Sequence, residues 1–255
     1  MIRRSAQFSI LAALVPALAL ASIGKVSALK GSATRTPKDG APLALQVGSE
    51  LELEDTISVA EKSDLKLTLA DESVLALGHD SQLFIARADF DKLERKGFSA
   101  KLLFGAVWAK VKKMAAGSEA KFDVTTDRAV AGVRGTIFRV DATKLIKSAA
   151  TTTVPKAAVK SSLTTVRVTQ GLVVVEARVK AEPQPAGGAG GKEVGGKKER
   201  HQVAGPQQIT QEQWEQKFVE LQKEMQVTVG EELWKVGALT LPKDDELESF
   251  VAQNP

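Results

Sequence analysis

The stretch from Phe122 to Val140, FDVTTDRAVAGVRGTIFRV, limits what this chain can fold into more than any other. Phe122 and Val124 alternate with polar residues, as do Ile137 or Phe138 and Val140 on the far side. Between them lies Ala-Val-Ala-Gly-Val-Arg-Gly-Thr. No helical repeat of about 3.6 residues runs through it, so strand, tight turn, strand is predicted. Gly132 and Gly135 are turn glycines here, free to take angles that a side chain resists. Arg134 stands between turn residues, at the tip.

The same alternation recurs on both sides. Asp64 to Leu69 sets Leu65, Leu67 and Leu69 against Lys66 and Thr68, one face dry and one wet. Ala70 to Ser73 is a turn in which Asp71 and Ser73 can bond their own backbone. Val74 to Leu77 returns, Gly78-His79-Asp80 turns, and Ser81 to Ala86 is the next strand. Asp89 to Phe98 reads as a charged loop with Gly97 closing a hairpin. In Ala100 to Lys112, Leu103, Gly105, Val107, Ala109 and Val111 share a face, and Trp108 lies opposite with Lys110 and Lys112. Gly105 inside a strand implies a bulge or a close contact. Thr165–Val168 and Leu172–Val179 pair about a Gln170-Gly171 turn, with Gly171 a third turn glycine. Leu172-Val173-Val174-Val175 is apolar on both faces, which predicts a central or covered strand. Turn signals every ten residues or so mark an all-β domain.

The 255 residues are 43% hydrophobic, enough for a sizeable core. Three segments break the pattern. Residues 142–162 and 181–200 are Ala-, Thr-, Gly-, Pro- and Lys-rich and read as loop insertions. From Thr210 a Thr-x-x-Gln capping box precedes Trp214, Phe218, Leu221 and Met225 at helical spacing, so an amphipathic α-helix is expected within 210–241. Residues 242–255 read as a loose acidic tail.

At the other end, Arg3 and Arg4 precede the apolar run Phe8 to Ile23 and the small-residue pattern Val26-Ser27-Ala28. These are the parts of a secretory signal peptide, 1–28, with cleavage near Ala28; Ala19-Leu20-Ala21 offers a second site. The run is shorter than the ~20 residues of a membrane span, so none is expected after cleavage. Residues 29–42 form a polar lead-in. Losing Arg3, Arg4 and Lys25 lowers the formal charge from +4 to +1, which removes the case for nucleic-acid binding. The absence of cysteine excludes disulfides and thiolate sites.

Ala-Gly-Val-Arg-Gly-Thr followed by an alternating strand resembles the signature of the FecR protein family, built on the periplasmic domain of bacterial iron-uptake regulators. Leu67–Phe90, Lys101–Lys113 and Val166–Ala177 are similar to further units of that family in the same order, and Gln202-Val203-Ala204-Gly205 weakly matches its closing strand. Glu54-Asp55 stands where the family commonly has Gly-Asp. The resemblance spans roughly Val47 to Ile209. It implies one β domain over 43–209, of stacked antiparallel hairpins packed as two sheets. Spacing alone leaves sandwich, roll and short solenoid open. It further implies envelope sensing or signal relay through a protein partner. Those regulators carry a cytoplasmic segment and a membrane span before this domain, whereas here a leader takes their place, so an exported adaptor or scaffold is expected, periplasmic or secreted.

Candidate chemistry is sparse. His79-Asp80-Ser81 has the residue types of a triad, but consecutive strand residues point apart. Asp89, Asp91 and Glu94 lack calcium-loop spacing, two histidines make no zinc set, and no phosphate loop is present. No catalytic, cofactor or metal residues are assigned. Partner-binding candidates are Arg134, whose plainer role is pairing with Asp127 or Asp141, Trp108, and Trp214, Phe218 and Leu221 of the expected helix. An alternative reading is a polysaccharide-binding module with Trp108 as its aromatic platform. The oligomeric state is open.

Overall fold

The computed structural model describes residues 22–91, 94–115, 120–146, 160–180, 214–231, 233–240 and 245–255. The described residues are mainly β. The strands are β1 (Gly24–Lys30), β2 (Ala33–Thr36), β3 (Leu43–Ala44), β4 (Glu50–Leu51), β5 (Thr56–Val59), β6 (Asp64–Leu69), β7 (Val74–Leu77), β8 (Ser81–Asp91) and β9 (Glu94–Lys110). They continue as β10 (Lys121–Thr125), β11 (Ala129–Val133), β12 (Ile137–Ile146), β13 (Lys160–Gln170), β14 (Val173–Lys180), β15 (Trp214–Leu221), β16 (Met225–Val229) and β17 (Trp234–Ala238). One short helix, α1 (Glu246–Gln253), follows.

Hydrogen-bond registers sort the strands into two ladders. The first runs β4–β1–β6–β7–β9–β12–β13–β16–β17. The second runs β3–β2–β5–β8–β9–β10–β11–β14–β15. Both contain β9, which joins them into one open 17-stranded sheet. The sheet is mixed, because β9 and β10 run parallel.

A single residue lets β9 serve both ladders. Before Gly105 the side chains in the main core cluster are Phe98, Ala100 and Leu102; after it they are Val107, Ala109 and Val111. The alternation changes parity, as an extra residue in a strand requires. Gly105 has φ +92°, and a Cβ there would lie 2.4 Å from the Ser81 Cα. Ser81 Oγ accepts from the Ala106 amide at 2.9 Å and fixes the corner. The even alternation expected through Leu103 therefore fails: Leu102 is the buried neighbour, and Leu103 lies on the other side of the strand.

The core draws on both ladders. Leu65, Leu67, Leu75, Leu77, Val140 and Val166 of the first join Ile57, Leu83, Ile85, Phe122 and Val173 of the second in one buried cluster. Phe98 stacks on Phe122 with centroids 4.8 Å apart, and Phe138 meets Phe122 edge-on at 6.5 Å. Fully buried among them is a charge. Arg95 on β9 pairs with Asp71 in the β6–β7 turn, donates to Ser73 Oγ at 3.0 Å and to the Lys112 carbonyl at 3.2 Å, and lies 5.2 Å over the Phe122 ring.

Several expectations are corrected. The leader boundary at Ala28 falls inside β1, where Val26 is buried and Gly24 to Lys30 pair with β6. Residues 29–42 are no lead-in, since β2 pairs with β5. Asp89–Phe98 is the meeting of β8 and β9 and contains buried Arg95, not a solvated loop. β11 is an extra strand within the stretch read as a turn. Strands β12 and β13 extend to Ile146 and back to Lys160, into the presumed insertion. The helix expected within 210–241 is instead β15, β16 and β17, and the presumed tail folds as α1. Pairing with β14, β13 and β16 gives these residues backbone partners and burial that helix spacing alone could not foresee. The insertion 181–200 and the closing Gln202–Gly205 lie outside the described residues. The Glu54-Asp55 departure is accommodated: Glu54 takes φ 67°, the angle glycine would supply.

Arg95→Ala is expected to leave Asp71 buried and unpaired, lowering stability by about 3–5 kcal/mol, read from the urea midpoint of the purified protein.

Candidate partner-binding surface

Turn chemistry places the first surface. Gly135 (φ +86°) ends the β11–β12 turn and Gly171 (φ +93°) the β13–β14 turn. The two turns touch: Thr136 Oγ1 donates to the Leu172 carbonyl at 2.8 Å. Gly132 lies within β11 instead, where a Cβ would sit 3.2 Å from Asp123 Oδ1. Arg134 is exposed at the first turn. Asp127 pairs with Lys101, and Asp141 with Arg139 and Arg167, so neither is its partner.

Beside Arg134 an apolar strip begins. Val173 and Val175 are buried, but Leu172 is 44% and Val174 41% exposed. The run is apolar on both faces as expected, yet only one face is covered among the described residues. On β15, Phe218 is 62% exposed. Glu176 opposes Phe218 and Glu220 opposes Val174, which sets Phe218 diagonally beside Val174. β14 is the strand partner of β15 among the described residues, so β15 is an edge. Arg134, Leu172, Val174 and Phe218 thus line one end of the second ladder, rimmed by Glu176 and Glu220.

The other proposed contacts separate from this group. Leu221 is fully buried. Trp214 pairs with Lys180 through its backbone, and its side chain lies outside the described ones. Trp108 is only 8% exposed and is packed with Ala76 and Leu247 beneath α1, so it offers no platform for a sugar ring. The α1 cover escaped sequence reading, because its apolar positions Leu247, Phe250 and Val251 are few within an acidic stretch.

The second surface is the α1 seat on the outer face of the first ladder. Asp245 caps α1, accepting from the Glu248 amide at 3.1 Å, and pairs with Arg139. Arg139 also holds Asp141 at 2.9 Å, and Asp141 pairs with Arg167. Burial would pull Arg139 down, but Asp141 and Asp245 outweigh it and hold the guanidinium above its ordinary value. At the far end Lys66 donates to the Asn254 and Pro255 carbonyls. Burial, and then Lys110, push Lys66 below the ordinary lysine value. Beside the first turn of α1 is a cavity of about 650 Å³, whose lining includes Gly78, Ala106, Arg139 and Leu247 and also the acidic Asp80 and Asp141.

His79 Nδ1 lies 3.4 Å from Asp80 Oδ2 in solvent, while Ser81 Oγ faces Ala106. The three do not converge. Among the described residues no three metal-binding side chains cluster, and no helix is long and apolar enough to cross a membrane.

Residues 55–181 match the family model described as FecR protein. Two crystal structures of a candidate anti-sigma factor from Parabacteroides distasonis are similar to the chain at TM-score 0.40 and 17% identity. The matches cover 78% and 77% of this chain and 63% and 62% of theirs, so the chain spans less than two thirds of those proteins. No curated protein matches it.

Burial pushes the Glu248 carboxyl up, with Arg139 opposing and Asp245 and Asp141 adding to the rise. A carboxyl raised in the docked state takes up its proton more readily there. Docking of α1 is therefore expected to tighten as pH falls through that raised value toward the ordinary 4.5. In Glu248→Gln this dependence should flatten, measured by amide hydrogen exchange of residues 246–253 corrected for intrinsic rates.

Proposed function

This chain carries a FecR domain, and on that premise we propose that it is an exported, non-enzymatic protein of the bacterial envelope. It acts by protein–protein contact, as a relay or scaffold in envelope sensing. The observation that carries the contact reading is the open strip of Arg134, Leu172, Val174 and Phe218 at an edge strand. An aromatic flanked by aliphatic side chains, with a guanidinium at one end and carboxylates on the rim, has the composition of a binding hot spot. An edge strand without a second partner among the described residues adds backbone groups that an extended partner segment can pair with.

The leader-like start of the sequence supports an envelope location. The basic start, apolar run and small-residue sites of the first 28 residues have the form of a leader. Of the two cleavage sites, the one after Ala21 leaves β1 whole, whereas a cut after Ala28 removes Val26 and most of the β1–β6 pairing. A polysaccharide platform has lost its residue with Trp108 beneath α1.

Phe218→Ser and Arg134→Glu, each folded by circular dichroism, are expected to recover far less partner than wild type from envelope extract. A hot-spot loss of about 2 kcal/mol corresponds to roughly thirtyfold in affinity. Undiminished recovery by both variants would remove the strip from the interface. Intact-mass measurement of the protein from the periplasmic fraction should give a chain starting at Ser22; a start at Leu29 would contradict the β1 argument.

A further inference from the structure

The outer face of the first ladder, where α1 sits, has a composition unlike an ordinary solvent-facing sheet. Ala76, Ala106, Trp108, Ile137 and Val74 form a small apolar floor. It is separate from the main core cluster, so the core is complete without α1. Gly78 adds depth, since the position its Cβ would take is 3.5 Å from Leu247 Cδ2. Around the floor stand Lys66 on β6, Lys110 on β9, Arg139 on β12 and Arg167 on β13, with the carboxylate of Asp141 between the two arginines and paired to both. Burial first, and then the charge of Lys110, hold Lys66 below the ordinary lysine value.

What occupies this floor is acidic and amphipathic. The segment 245–255 carries Asp245, Glu246 and Glu248 and no cation. It packs Leu247 and Val251 on the floor, buries Phe250, and sets its N-cap against Arg139 and its last carbonyls against Lys66. The negative end of the helix dipole therefore meets a lysine of the sheet. The eight residues of α1 also fail to fill the groove, which continues past the first turn as the cavity of about 650 Å³.

We propose that this face is a second docking surface, built for an acidic amphipathic helix of a partner protein, and that α1 is the resident occupant such a helix must displace. The floor supplies apolar burial, and the cationic rim selects an anionic helix over a neutral or basic one. Because α1 is tethered, it competes at an effective concentration on the order of millimolar. A partner helix must therefore either bind well or arrive when α1 is weakened. The inference does not depend on the Phe218 strip, and its test uses purified components only.

The probe is a fluorescein-labelled peptide of residues 245–255, followed by anisotropy against the chain 22–255. Wild type should bind it weakly. Leu247→Ser with Phe250→Ser in the same chain, which alters α1 alone, should bind it at least about tenfold more tightly. That binding should weaken with salt and vanish when Ala76→Glu is added. Asp245→Asn, which keeps both apolar anchors, makes the same comparison if the double variant loses its strand circular dichroism. Equal binding by wild type and the loosened variants, or binding indifferent to Ala76→Glu, would overturn the proposal. So would a concentration-dependent wild-type dimer in sedimentation that the loosened variants lose, since the occupant would then be the α1 of a second copy.

Discussion

The buried ion pair between Arg95 and Asp71 fixes how the strands meet. Arg95 stands near the start of β9 and Asp71 in the turn between β6 and β7, and both are fully buried. Asp71 also accepts from the Ser73 amide at 3.0 Å and the Ser73 hydroxyl at 2.7 Å, while Ser73 Oγ accepts from the Lys112 amide at 3.0 Å. One guanidinium thereby ties the β6–β7 turn to the start of β9 and to the residues just after its end, with its plane against Phe122. Such a pair adds little net stability over an apolar substitute, because desolvation cancels much of the attraction. Its value is geometric: the pair and its hydrogen bonds form only when these segments have the right relation.

From that fixed start the parity change at Gly105 follows. Without it, one face of β9 would be buried along its whole length, and the strand could serve only one ladder. With it, the first half pairs with β8 and β10 and the second with β7 and β12. Both candidate surfaces lie where these ladders run out of cover. The first ladder turns Trp108 and Ala76 outward, and α1 closes over them. Among the described residues the second ends at β15, and Val174 and Phe218 on its outer side are exposed.

Much of this was legible from residue pattern. Leu65, Leu67 and Leu69 alternate and are buried; the turn glycines Gly135 and Gly171 take positive φ; Gly105 makes the close contact, against Ser81, and the register shift of β9 lies beside it at Leu103. The FecR resemblance rests on motifs in order, and the family match over 55–181 covers them except the closing Gln202–Gly205 and the start before Asp55. Other signals misled for identifiable reasons. Trp214, Phe218, Leu221 and Met225 have helical spacing, but it is Val219 and Leu221, at strand spacing, that face the core, and β14 was present to pair with. Trp108 among lysines looked exposed because its cover, Leu247, lies far along the chain. Arg95 looked like one more surface charge, because nothing near it in sequence marks Asp71 as its partner.

The sequence by itself determined the class of structure: mainly β, with its turns at particular glycines and its apolar faces at period two. Those are consequences of local sterics and of solvent exclusion from one side of a strand, which act between near neighbours. Tertiary structure alone decided which apolar faces remain open. That choice depends on which distant segment arrives to cover each face: α1 over Trp108, β14 beside β15, and Asp71 opposite Arg95. Local propensity is worth a fraction of a kcal/mol per residue, and such long-range burial outweighs it.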